Sequence, residues 1–131
     1  MVTPQDLNER IAALKSELDR LRPLAPDGLK SLERWYDVEL TYTSNAIEGN
    51  TLTRSETALV VEKGLTVGQG KPLRDHLEAV NHMAALAYMK ELAGSSAPIT
   101  EQEIRQIQGI IMRSIDDDAA GRYARRGRMA V

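Results

Sequence analysis

Three threonines in this chain stand three residues ahead of an acid: Thr3 before Asp6, Thr53 before Glu56 and Thr100 before Glu103. In such a box the hydroxyl accepts from the amide at the third helical position, and the acid reaches back to the threonine amide. Thr3 is followed by Pro4, which suits the first helical position because its missing N–H has no helical partner there. Each box predicts a helix start. Leu7, Ile11, Leu14, Leu18 and Leu21 follow the first at spacings of four, three, four and three, forming one apolar stripe that Pro23 and Pro26 end. Fewer than three heptads of such a seam predict packing against the next helix of the same chain rather than an extended coiled coil.

A second helix is expected from about Asp27, as N-cap, to Glu48, with Leu29, Leu32, Tyr36, Leu40 and Ile47 inward. Thr53 opens a short third helix that Gly64 ends. Residues 64–72 hold three glycines and read as a loop. A long helix follows from about Pro72 to Leu92, with Leu73, Leu77, Val80, Ala84 and Ala87 along one face. After the connection at 94–98, Thr100 opens a helix that turns Ile104, Ile107, Ile111 and Ile115 inward. Beyond Gly121 the chain becomes a basic tail. Strand signals are nearly absent, so the expected class is all-α, a bundle of about five helices. The expected organisation is an N-terminal helix (1–24), a second helical segment (27–50) and a further helical region (51–131).

Length allows one domain or part of one. Phenylalanine is absent and Trp35 is the sole tryptophan, which leaves Leu, Ile, Val, Met and Ala to build the core. Without cysteine there are no disulfides or thiolate metal sites, in keeping with a reducing compartment. The N-terminus lacks a secretory pattern and no apolar run approaches membrane-spanning length. A net charge of −2 argues against general nucleic-acid affinity. The expectation is a soluble, cytoplasmic protein with no membrane or nucleic-acid partner.

Candidate chemistry is sparse. His76 and His82 are six residues apart and fall on different helix faces. Asp75 and His82 align better, but two groups do not close a metal site, and His76 is expected to bond to neighbouring backbone. Gly68-Gln-Gly70-Lys71 lacks P-loop spacing and a preceding strand. Asp116, Asp117 and Asp118 read as a solvated helix end. Arg122, Arg125, Arg126 and Arg128 hold only Tyr123 among them, too few aromatics for a nucleic-acid surface. No nucleophile–base set or acid–base carboxylate pair assembles, so no catalytic residue and no metal ligand is assigned.

Residues 44–50, Ser-Asn-Ala-Ile-Glu-Gly-Asn, are different. Ser44 and Glu48 are four apart and share a helix face. Gly49 then ends the helix in the left-handed conformation that glycine adopts without steric cost. Glu48 is thereby a carboxylate at the negative helix end, disfavoured by roughly 0.3–1 kcal/mol. Such a charge invites a cation.

The stretch from Leu40 through that motif to Thr53 resembles the start of a Fic-domain protein, of the class whose inhibitory helix precedes the catalytic core. Gly64-Leu-Thr-Val and Gly70-Lys-Pro-Leu-Arg-Asp-His-Leu-Glu-Ala-Val-Asn-His82 are similar to the segment that follows in that family. Ile99-Thr100 through Met112 and Gly121-Arg-Tyr123 resemble the next helix and the approach to the target-docking flap. The resemblance implies a protein that, complete, transfers AMP from ATP, with Mg2+, to a hydroxyl of a target protein. It implies that Ser44, Glu48 and Gly49 match the inhibitory motif, whose glutamate pairs with an arginine near the γ-phosphate and prevents productive ATP binding. In some members the same glutamate supports removal of AMP.

Two departures stand out. The family's His-Pro-Phe-x-x-Gly-Asn-Gly-Arg loop is absent from these residues, which stop at Arg128-Met-Ala-Val131 where the flap's first strand should begin. The usual Gly-x-Tyr-Arg reads Gly121-Arg-Tyr-Ala124. The resulting expectation is an autoinhibitory and partial core segment of a Fic adenylyltransferase, inactive and without bound cofactor alone, whether cut deliberately or shortened naturally. The alternative is a non-enzymatic module that supplies Glu48 in trans to a separate Fic core, as antitoxins of the family do. Self-association through the Leu7–Leu21 stripe, giving a homodimer, is a third reading.

Overall fold

The computed structural model describes residues 1–64 and 70–125. The greater part of the expected 64–72 loop, and the basic tail from Arg126 where the flap's first strand was expected to begin, lie outside the described residues. The chain divides into two units, Met1–Arg34 and Trp35–Val131. Five helices and no strand occur among the described residues, and none of the helices is long and apolar enough to cross a membrane.

The first unit contains α1 (Pro4–Arg20) and the beginning of α2 (Pro26–Ile47). The Thr3 box forms as expected. The Asp6 amide donates to Thr3 Oγ1 at 3.1 Å and the Thr3 amide donates to Asp6 Oδ2 at 2.8 Å. The Thr3 hydroxyl, and after it the Thr3 amide, hold the Asp6 carboxyl below the usual carboxylate range. The predicted burial of the stripe does not occur. Leu7, Ile11, Leu14, Leu18 and Leu21 are 47–64% exposed, and no residue of α1 is buried. Leu29 and Leu32, expected to face inward, are exposed as well. Asp27 lies in the first turn of α2 rather than capping it, because the Leu29 amide bonds to the Ala25 carbonyl and Pro26 takes the first position.

The second unit holds the rest of α2 with α3 (Arg54–Lys63), α4 (Leu73–Gly94) and α5 (Glu101–Met112). The box at Thr53 closes in both directions, and at Thr100 the amide donates to Glu103 Oε2 at 3.1 Å. α4 is the central element and packs on α3 and on α5. Leu52, Val60 and Ala79 form the buried apolar cluster. Ala79 is wholly inaccessible, and its single methyl lets the neighbouring elements approach. From the same helix Asn81 Nδ2 donates to the carbonyls of Ile111 (3.0 Å) and Arg113 (2.8 Å), satisfying groups that the end of α5 would otherwise leave unpaired. The second half of α2 reaches α4 through side chains, Thr41 Oγ1 to His82 Nδ1 at 2.9 Å and Asp37 to Lys90 at 2.8 Å.

The helices occur where expected, but their inward faces differ. Tyr36, Leu40 and Ile47 are exposed, while Val38 and Thr41 are buried. On α4, Leu73, Val80, Ala84 and Ala87 are exposed and Leu77 is half-buried; Asp75, His76, Ala79, Asn81 and Ala85 lie inside. On α5, Ile104 is exposed and Ile110 is buried, with Ile107 and Ile111 half-buried; Ile115, just beyond the helix, is also half-buried. Close approach admitted small side chains, and buried polar groups that find hydrogen bonds cost little to enclose. α2 ends one residue before Glu48, and α4 starts after Pro72, which is the extended N-cap (ψ 141°), and continues past Leu92 to Gly94.

Candidate functional site

The sequence 44–50 builds a closed helix terminus. The Asn50 amide donates to the Asn45 carbonyl at 3.0 Å, and the Gly49 amide donates to the Ala46 carbonyl at 3.1 Å. These are the outer and inner bonds of a Schellman motif, with Glu48 as C-cap and Gly49 as the left-handed residue after it. Gly49 has φ +91°, a conformation in which an L side chain is strained, so a glycine is required there. Ser44 is half-buried one turn earlier, and Glu48 is exposed. The Glu48 carboxylate makes no hydrogen bond or ion pair among the described residues, and the last turn of α2 carries no basic residue. Its charge adds to the partial negative charge of the helix end.

Asn50 and Thr51, the two residues after Gly49, are fastened to the start of α4. Asn50 Nδ2 donates to the Asp75 carbonyl and to Glu78 Oε2, both at 2.9 Å, while its Oδ1 accepts from the Leu52 amide at 3.0 Å. Asp75 Oδ2 accepts from the Thr51 amide (2.8 Å) and the Thr51 hydroxyl (2.5 Å). Lys71 Nζ donates to the Thr51 carbonyl at 2.7 Å and pairs with Glu56. That lysine bond, followed by the Thr53 amide, holds the Glu56 carboxyl below the usual range. Leu52 enters the core between these polar anchors. Glu48 thus projects from a terminus pinned on both sides, by α2 before it and by α4 two residues after it.

Asp75 and Lys71 were not assigned this role from the sequence. An acid in the first turn of a helix is unremarkable locally, and its partner Thr51 lies 24 residues away. The other candidates take structural places. His76 Nδ1 lies 3.0 Å from the Pro72 carbonyl, the backbone bond expected of it. Burial lowers the pKa of His82, which bonds Thr41 rather than aligning with Asp75. Asp116 and Asp117 accept from the amides of Ala119 and Ser114, closing their own turn. Among the described residues no group of three or more His, Cys, Asp or Glu side chains is placed to hold a metal ion.

No family model matches the chain. It is similar to the protein adenylyltransferase Fic of Nematostella vectensis, 39% identical over 83 residues, which cover 63% of this chain and 19% of the relative. It is also similar to the protein of the same name from Drosophila melanogaster, 26% identical over 124 residues, covering 92% of this chain and 25% of the relative. Among solved structures, a Fic domain containing signaling protein from Bacteroides thetaiotaomicron superposes with a TM-score of 0.74 at 36% identity, over 79% of this chain and 38% of the other. The chain therefore spans about a fifth to a quarter of the length of these curated relatives.

Proposed function

Because this chain is related to the Fic family over most of its length, we propose that it is the autoinhibitory and partial core segment of a protein adenylyltransferase, with Glu48 as the inhibitory carboxylate. The observation that carries the reading is the exposed, unpaired Glu48 at the C-cap of α2. The complete protein transfers AMP from ATP to a hydroxyl of a target protein. Glu48 pairs with an arginine of the phosphate-binding loop, which lies outside these 131 residues. A planar guanidinium meets a carboxylate through two parallel hydrogen bonds, and the helix end strengthens its attraction to the cation. While that pair persists, the arginine is withheld from the terminal phosphate of ATP.

Rigidity matters to such a block. The Schellman closure and the Asp75 clasp define where Glu48 emerges, so the carboxylate loses little freedom when it meets the arginine. The family's catalytic histidine loop is not among these 131 residues, so a test of the block needs a protein that carries it.

The test uses a complete protein in which these residues are joined to the catalytic loop. Removing a charge-assisted pair worth about 1.5–3 kcal/mol predicts that Glu48→Gly raises self-incorporation of labelled AMP by roughly 10- to 100-fold. Unchanged incorporation, with ATP still bound, refutes the role of Glu48.

A further inference from the structure

We propose that α1 is a self-association surface that takes the α1 helix of a second copy of this chain in antiparallel orientation. The helix is prepared for this. It is opened by the Thr3–Asp6 box and supported along one edge of the stripe by Asp19, which pairs with Lys15 and Arg22 of its own chain, so its apolar stripe is presented in a formed helix. All five stripe residues are exposed. Their spacing sets Ile11 and Leu18 at one heptad position, and Leu7, Leu14 and Leu21 at the other. That alternation makes both seam positions apolar along the whole helix, as a packed pair of helices needs.

Charge decides the orientation and the register. The residues flanking the seam are Arg10 and Glu17 on one side, and Asn8, Lys15 and Arg22 on the other. In a parallel pair the two sides meet crosswise, so Arg10 faces Lys15 of the second copy while Glu17 faces Arg22. With two-fold symmetry each contact occurs twice, so two repel and two attract. In an antiparallel pair like sides meet. With Leu7 opposite Leu18 and Ile11 opposite Leu14, Arg10 faces Glu17 of the second copy and Glu17 faces its Arg10. Two-fold symmetry supplies both attractions, and the other edge sets Lys15 beside neutral Asn8. Sliding by one heptad puts Glu17 against Glu17 and Lys15 against Lys15. Only one register is complementary. Arg10 and Glu17 form no ion pair among the described residues of their own chain, which leaves both available.

Sedimentation equilibrium of the chain, from low micromolar to millimolar concentration, tests the surface and its orientation together. A monomer–dimer equilibrium is expected, abolished by Leu14→Asp. Arg10→Glu turns both attractions into repulsions and should weaken the dimer roughly tenfold, at a few tenths to 1 kcal/mol per exposed pair. Combining Arg10→Glu with Glu17→Arg should restore it, since the pairs re-form with signs exchanged. A parallel dimer responds oppositely, because Arg10→Glu then turns its two Arg10–Lys15 repulsions into attractions and tightens it; that result overturns the proposal. A monomer at every concentration overturns it too, and leaves the stripe to another segment or partner. Because Arg10 and Glu17 are exposed, circular dichroism of these variants should match the wild type.

Discussion

Asp75→Ala is the perturbation most directly set by the geometry. The carboxylate is buried and accepts two bonds from Thr51, one from the amide and one from the hydroxyl. Hydrogen bonds to a charged acceptor contribute about 1.5–3 kcal/mol each when the donor is left without a partner. Thr51 is itself exposed, so water recovers part of the loss. That brings the expected cost to about 2 kcal/mol, below the roughly 3–6 kcal/mol that two wholly unreplaced bonds would cost. For a unit of roughly a hundred residues, each kcal/mol moves the melting temperature by about 5 °C, so a fall of about 10 °C is expected. Asp75 also lies in the first turn of α4, where its charge favours the helix by about 0.3–1 kcal/mol. Thermal melts of Asp75→Ala, Thr51→Val and the double variant separate the two contributions. The Asp75–Thr51 hydroxyl coupling should appear as about 1 kcal/mol of non-additivity. The Asp75 carbonyl that holds Asn50 survives the substitution, so the loss should be confined to Thr51. A melting temperature within about 2 °C of wild type, or strict additivity, would refute the clasp.

The remaining expectations concern the core and pH. Ala79→Leu forces extra volume between Leu52 and Val60 and should destabilise the unit by about 1–3 kcal/mol, read from urea unfolding; an unchanged midpoint would show that the contact is loose. Burial depresses the pKa of His82 below its ordinary 6.5, so the unfolded chain binds the proton more readily than the folded one. Stability is therefore complete above pH 6.5 and declines as pH falls through the lowered value, a slope that His82→Gln should remove from the melting curve. Glu56 adds a second decline at lower pH. Its carboxyl is held below its ordinary 4.5 by Lys71, and the contribution is lost as pH falls from there through the lowered value. Lys71→Met should shrink that second decline without abolishing it, because the Thr53 amide still donates to Glu56, and should leave the His82 decline unchanged.

Helix existence, helix starts and the glycine closure were legible because each is local. Thr53 and Glu56, Thr100 and Glu103, or Gly49 and the carbonyls behind it, lie within a few residues, so chain connectivity brings them together before any tertiary contact. Glu48 was legible for the same reason, as a charge on the wrong end of its own helix. The inward faces were not. Hydrophobic periodicity favoured Leu40, Leu73 and Ile104, yet the closest approaches were made by Thr41, Ala79 and Asn81, whose small size or satisfied hydrogen bonds cannot be judged without the neighbour they meet. The Asp75 clasp was invisible because its two halves are 24 residues apart and each is ordinary alone. The exposed α1 stripe shows the same division. Its amphipathic pattern is written in five residues, but whether the chain covers it depends on packing at a distance. By itself the sequence determined the helices, the threonine-led starts of three of them and the carboxylate left at the end of one. Only the tertiary structure decided which faces are buried and what holds that carboxylate in place, because those depend on volumes and donors that meet across sequence-distant segments.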